Sequence, residues 1–124
     1  MKIHIRNGRV VDPMNARDEV ADVYVAAGRI VAIGAAPADF HANRTLDASG
    51  LVVCPGLVDL SVRLREPGQE HAGMLESEMA AAVAGGVTAL VCPPDTDPVL
   101  DEPGLVDMLK LRAEKLHQSR VFPL

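Results

Sequence analysis

Two short apolar runs, Leu57 to Leu64 and Val87 to Cys92, frame a segment of helical period, and this order limits the folds open to the chain. Between them, Met74 to Ala84 reads as a helix, with Leu75, Met79, Ala82 and Val83 on one stripe. Gly85 is placed to end it in left-handed geometry. Val87 to Cys92 is nearly continuous in apolar residues, as a strand covered on both faces should be. Pro93 to Pro98 reads as a loop. Asp101 then offers an N-cap for a second helix, with Pro103 in its first turn. Leu105, Leu109 and Leu116 mark one face, Leu111 widens it, and Lys110, Arg112 and Lys115 suit the negative C-terminal end. Val121-Phe122 begins a third strand. Strand, helix, strand, helix, strand favours a parallel sheet with right-handed crossovers, the opening of either a doubly wound sheet or a (β/α)8 barrel.

The first 54 residues read differently. Lys2 to Arg6 alternates as a half-buried strand does, and Asn7-Gly8 is a hairpin signal before Arg9-Val10-Val11. Asp22 to Ala26 and Arg29 to Ile33 form a second hairpin around Ala27-Gly28. Thr45 to Asp47 and Leu51 to Val53 form a third, turning at Ser49-Gly50. Strands this short and this regularly spaced indicate a small β-sandwich. Ala36 to Ala42 carries no period and reads as a loop. His4 and His41 stand alone, without the clustering that zinc sites use.

Composition narrows the function classes. The net charge of −5 and the 2% aromatic content argue against nucleic acid, which requires clustered cations and stacking platforms. Met1 to Arg6 lacks the apolar stretch of a signal peptide, and the uncharged run Met79 to Pro94 falls short of a bilayer span. Cys54 and Cys92 are far apart in sequence. They read as buried small apolar residues in a reducing, cytoplasmic setting, with no disulfide framework.

The chemistry concentrates in Pro55 to Gly68, a run bounded by two Pro-Gly pairs. Asp59, Ser61 and Arg63 alternate with apolar residues, so on a strand they share one face. This stretch resembles the first barrel strand of the amidohydrolase superfamily, and most of all dihydroorotase, whose pattern is Pro-Gly-x-(Val/Ile)-Asp-x-His-x-His-x-Arg followed by Glu-Pro-Gly. Pro55, Gly56, Asp59, Arg65, Glu66, Pro67 and Gly68 match it. Ser61 and Arg63 stand where the family has its two histidines. A second stretch, Ala81 to Thr88, resembles the family's Ala-rich helix and Gly-Gly-x-Thr turn. Cys92 to Pro98 resembles its Met-Pro-Asn-Thr-x-Pro loop, with Asp95 in place of the asparagine.

The resemblance implies an α/β fold: residues 1–54 as part of a small β-sandwich, and residues 55–124 as the first two βα units and third strand of a TIM barrel. A barrel takes about 250 residues, so the chain is expected to be an N-terminal portion, with exposed sheet edges that a partner surface should cover. In the family the two histidines bind one ion of a zinc-type centre that activates water. Ser61 offers only a hydroxyl, and Arg63 has no lone pair and a permanent charge. At 4 Å and an effective dielectric near 20, unit charges interact by about 4 kcal/mol, and a divalent ion would feel about twice that repulsion. Arg65 matches the family's substrate-carboxylate arginine. An ionised Asp95 would repel that carboxylate, and is expected instead to pair with Arg63 or Arg65. His71 is a candidate replacement ligand without a neighbouring histidine.

The chain therefore most resembles the inactive dihydroorotase-like proteins of bacteria. That resemblance implies a non-catalytic, homo-oligomeric cytoplasmic subunit without metal, supporting aspartate carbamoyltransferase in pyrimidine synthesis, with Arg65 and Asp95 as a vestigial substrate site. The alternative is a divergent metal-dependent dihydroorotase or other cyclic amidohydrolase. A third reading is an anion site at Arg63 and Arg65.

Overall fold

In the computed structural model, which describes residues 1–124, the alternation at the start of the chain becomes one long strand, β1 (Lys2–Asp12). Asn7-Gly8 does not turn the chain. Asn7 adopts the left-handed φ of +63° that the sequence allows, but uses it for an irregularity in the ladder between Ile5 and Gly8. Asp22 holds it from the next strand by accepting the Asn7 N–H at 2.9 Å. Gly8 is buried there, and a Cβ would stand 2.5 Å from Val53 Cγ2. A short turn at Pro13–Asn15 leads to β2 (Arg17–Ala26), antiparallel to β1. β2 and β3 (Arg29–Ile33) form the expected hairpin, with Ala27 and Gly28 both at positive φ.

The third hairpin does not form. β4 (Arg44–Asp47) and β5 (Val52–Val53) both run parallel to β1, one after the other along its second edge. Ser49-Gly50 only steps the chain between them. Asp47 Oδ1 accepts from the Ser49 N–H at 3.0 Å and hydroxyl at 2.5 Å, and Leu51 N–H reaches Ala48 O at 2.9 Å. These elements make a five-stranded sheet with β1 at its centre. Val10, Val23, Tyr24 and Ala48 are buried on it, whereas Cys54 is exposed, against expectation.

The chain divides into Met1–Pro55 and Gly56–Leu124. In the second unit, β6 (Leu57–Asp59), β7 (Val87–Cys92) and β8 (Arg120–Pro123) form the expected parallel sheet, connected through α1 (Leu75–Ala84) and α2 (Pro103–Leu116). Leu75, Met79 and Leu90 are fully buried, and Leu64, Cys92, Leu100, Leu109, Ala113 and Val121 close around them. Filling this space gives the helices a fixed side toward the sheet, and the apolar area removed from water is the main stabilising effect.

Four local expectations are revised. The first strand is three residues long, because Asp59 Oδ1 accepts the Ser61 N–H at 3.0 Å and bends the chain out of the sheet. Asp59, Ser61 and Arg63 therefore do not share a strand face, and Leu57, Val58 and Leu60 are exposed. The left-handed residue after α1 is Gly86 (φ +81°), while Gly85 stays right-handed. Glu102, not Asp101, precedes α2, with Pro103 at its first position and no side-chain cap. Leu111 and Val83 face outward; α2 is held by Leu109 and Ala113, with Leu105 and Leu116 at the margin.

Candidate functional site

The loops that follow β6 and β7 carry the residues the sequence singled out. Val62 N–H rejoins β7 at Val91 O (2.9 Å), so the chain returns alongside the sheet after the bend at Ser61. Arg63 then donates from Nε to Asp95 Oδ2 at 2.5 Å, linking residues 32 apart. The expected pairing of Asp95 is thus made by Arg63. Both side chains are about half exposed, at 55% and 43%.

Arg65 has a different partner. It adopts a left-handed φ of +63° and donates from Nη1 to Gln69 Oε1 at 3.2 Å within its own loop, while Gln69 N–H donates to Arg65 O at 2.8 Å. Arg63 and Arg65 therefore each have an internal partner, while both line the same small cleft. The cleft beside them is also lined by Glu66, Gln69, Cys92 and Asp95, and encloses about 10 Å³, room for about one water molecule.

The loops are also joined by backbone. Asp97 N–H donates to Pro67 O at 3.2 Å. Gly68, at φ +98°, lies so close that a Cβ would stand 2.1 Å from Asp97 O. Thr96 closes its own turn by donating to Pro98 O at 2.9 Å.

Glu66 is the residue that sequence reasoning missed. It matched a motif position but received no role. It is 7% exposed. Its Oε2 accepts the Leu75 N–H at 3.1 Å, the first free donor of α1, and its Oε1 accepts from Arg112 Nη1 of α2. A carboxylate suits the positive end of a helix. Arg112 also reaches Glu76 at 3.6 Å, so it serves Glu66 and Glu76 rather than the α2 terminus. The available signal was an acidic residue between an arginine and Pro-Gly, a few residues before a helix start.

The donor set does not fit a zinc-type centre. Asp95 is neutralised by Arg63. Burial, aided by the Asp59 carboxylate, pushes the Cys92 thiol up to about 11, and Cys92 lies buried without a second thiol or imidazole grouped beside it. Ser61 is exposed and offers a hydroxyl. His71 is exposed in the first loop, beside Glu70, whose carboxyl is held low mainly by the Gly68 N–H. No three His, Cys, Asp or Glu side chains of this chain are grouped to hold an ion. His4 is engaged elsewhere, 2.7 Å from Asp22 Oδ2 and stacked on Tyr24.

A family model described as dihydro-orotase-like matches residues 50–124. A dihydroorotase-like protein of Pseudomonas aeruginosa is 54% identical over the whole chain, and a dihydroorotase of Solibacter usitatus is 43% identical. The chain spans 29% of the length of each of these curated relatives. Among solved structures, the L-hydantoinase (dihydropyrimidinase) of Arthrobacter aurescens superposes with a TM-score of 0.77 at 30% identity, covering 90% of this chain and 24% of that one.

Proposed function

From the premise that this chain belongs to the dihydroorotase-like family, we propose that it is the N-terminal portion of a non-catalytic dihydroorotase-like subunit that supports aspartate carbamoyltransferase in pyrimidine synthesis. On this reading residues 1–54 contribute to a small sandwich. Residues 55–124 supply the first two βα units and third strand of a barrel, and the subunit is a cytoplasmic homo-oligomer. The observation that carries the non-catalytic reading is the Arg63–Asp95 ion pair. It puts a permanent cation at a family ligand position and occupies the carboxylate that could have offset it. Arg65 and Asp95 are then vestiges of a substrate site, each bonded internally. The transferase as partner rests on the resemblance alone.

A second reading is favoured by the relatives named dihydroorotase and hydantoinase: a divergent cyclic amidohydrolase that binds metal through residues outside this chain. One experiment separates the two. Full-length protein is purified with and without the transferase, analysed for bound metal, and assayed for carbamoyl-aspartate cyclisation. The scaffold reading expects co-purification, sub-stoichiometric metal and no cyclisation. Stoichiometric metal with turnover would establish the enzyme instead. No helix of the chain is long and apolar enough to cross a membrane.

A further inference from the structure

A metal centre does more than chemistry: it ties together the chain segments that supply its ligands. We infer that the Arg63–Asp95 ion pair takes over that mechanical role, clamping the loop after β6 to the loop after β7 so that they form one fixed surface. The inference rests on the metal-free half of the proposed function and is independent of the transferase.

Three contacts carry it. The ion pair joins the two loops through side chains, Nε to Oδ2 at 2.5 Å. The Asp97 N–H to Pro67 O bond joins them through backbone at 3.2 Å. The third is Gly68 against Asp97, where a side chain would have no room. The backbone contacts between the loops lie close together at Pro67–Gly68 and Asp97, while Val62 N–H and the buried Leu64 seat the start of the first loop on β7 and the core. The ion pair, four residues earlier on one loop and two earlier on the other, adds a second point of attachment. Two points fix an orientation where one does not. The small cleft between the loops is consistent with that closure.

The test is a double-mutant cycle in full-length protein, with Arg63→Met and Asp95→Ala. Amide hydrogen exchange is read over residues 62–70 and 95–100, alongside metal analysis and a thermal melt to confirm folding. Each single variant should speed exchange in both loops by up to about fivefold, the range an exposed ion pair spans. The double variant should be no faster than either single one. Arg65→Met, which loses only a bond to Gln69, should affect residues 65–69 and leave 95–100 unchanged. A chelator should change nothing, whereas 1 M salt should make the parent resemble Arg63→Met. The clamp is overturned if metal-free protein shows loop exchange indifferent to both substitutions, or if their effects add. Bound metal together with chelator-induced loosening would instead overturn the metal-free reading beneath it.

Discussion

Arg112 of α2 donates to Glu66 in the loop after β6, and the same carboxylate caps the first turn of α1. One buried acid thus fixes both helices relative to the loop that carries Arg63 and Arg65. Replacing Glu66 with Ala strands the Leu75 N–H and leaves the half-buried Arg112 guanidinium only the longer contact with Glu76. The expected loss is about 2 kcal/mol of unfolding free energy, below the figure for a fully buried pair because Arg112 keeps access to water. Glu66→Gln, which retains an acceptor for the Leu75 N–H, should lose less. Urea unfolding of full-length protein measures both; equal losses would show that charge, not capping, is what Glu66 provides.

Gly68 supplies a second stability test. Its positive φ and its contact with the Asp97 backbone leave no room for a Cβ. Gly68→Ala should destabilise by about 1–3 kcal/mol and open the loop pair to proteolysis. An alanine variant with parental stability and resistance would mean that the Asp97 backbone moves away without penalty.

Acid should act on the N-terminal sheet through Asp47. Hydrogen bonds from the Ser49 hydroxyl and N–H lower its pKa from 3.8 to about 2, with Asn7 and Arg6 adding to the effect. Because the folded value is the depressed one, this stabilisation is complete above about pH 4 and disappears as the pH falls through about 2. Asp22 and Asp18 are shifted the same way, Asp22 chiefly by the Asn7 N–H and Asp18 by Arg9. The parent should lose stability more steeply than Asp47→Ala between pH 4 and 2. Parallel curves would remove Asp47 from the account.

The two cysteines should label in sequence. At pH 8, a thiol titrating near 11 is thiolate in about one molecule in a thousand, and Cys92 is also covered. Cys54 is exposed. Iodoacetamide followed by mass spectrometry should therefore find Cys54 modified in native protein, and Cys92 only after denaturation. Early modification of Cys92 would mean that the β7 end opens readily.

The second unit was legible because its signals are local. Helical period in Leu75 to Ala84 and the apolar run Val87–Cys92 each identify an element without reference to its neighbours. The N-terminal sheet was less so. Asn7-Gly8 and Ser49-Gly50 carry turn chemistry, yet that chemistry cannot say which strands pair, and β4 and β5 choose β1 from some 40 residues away. At the site, opposite charges in the loops after adjacent parallel strands made a pairing of Asp95 with Arg63 or Arg65 legible, but not which of the two. Glu66–Arg112 was not legible, because Arg112 was read as serving the negative end of α2, whereas it faces the loop after β6. The early end of β6 was missed because Asp59 was assigned to chemistry, when locally it bonds the Ser61 N–H.

The placement of β1 between β2 and the β4–β5 pair has a consequence for how the protein is made. As the chain leaves the ribosome, residues 2–12 find β2 almost at once, but their other edge has no match until residues 44–53 follow. For that interval the nascent hairpin presents open amides and carbonyls to anything nearby. β1 thus gains its second neighbour only after about thirty further residues have followed β1, and slowing translation between Ile33 and Arg44 should lengthen the interval in which a chaperone can bind its open edge.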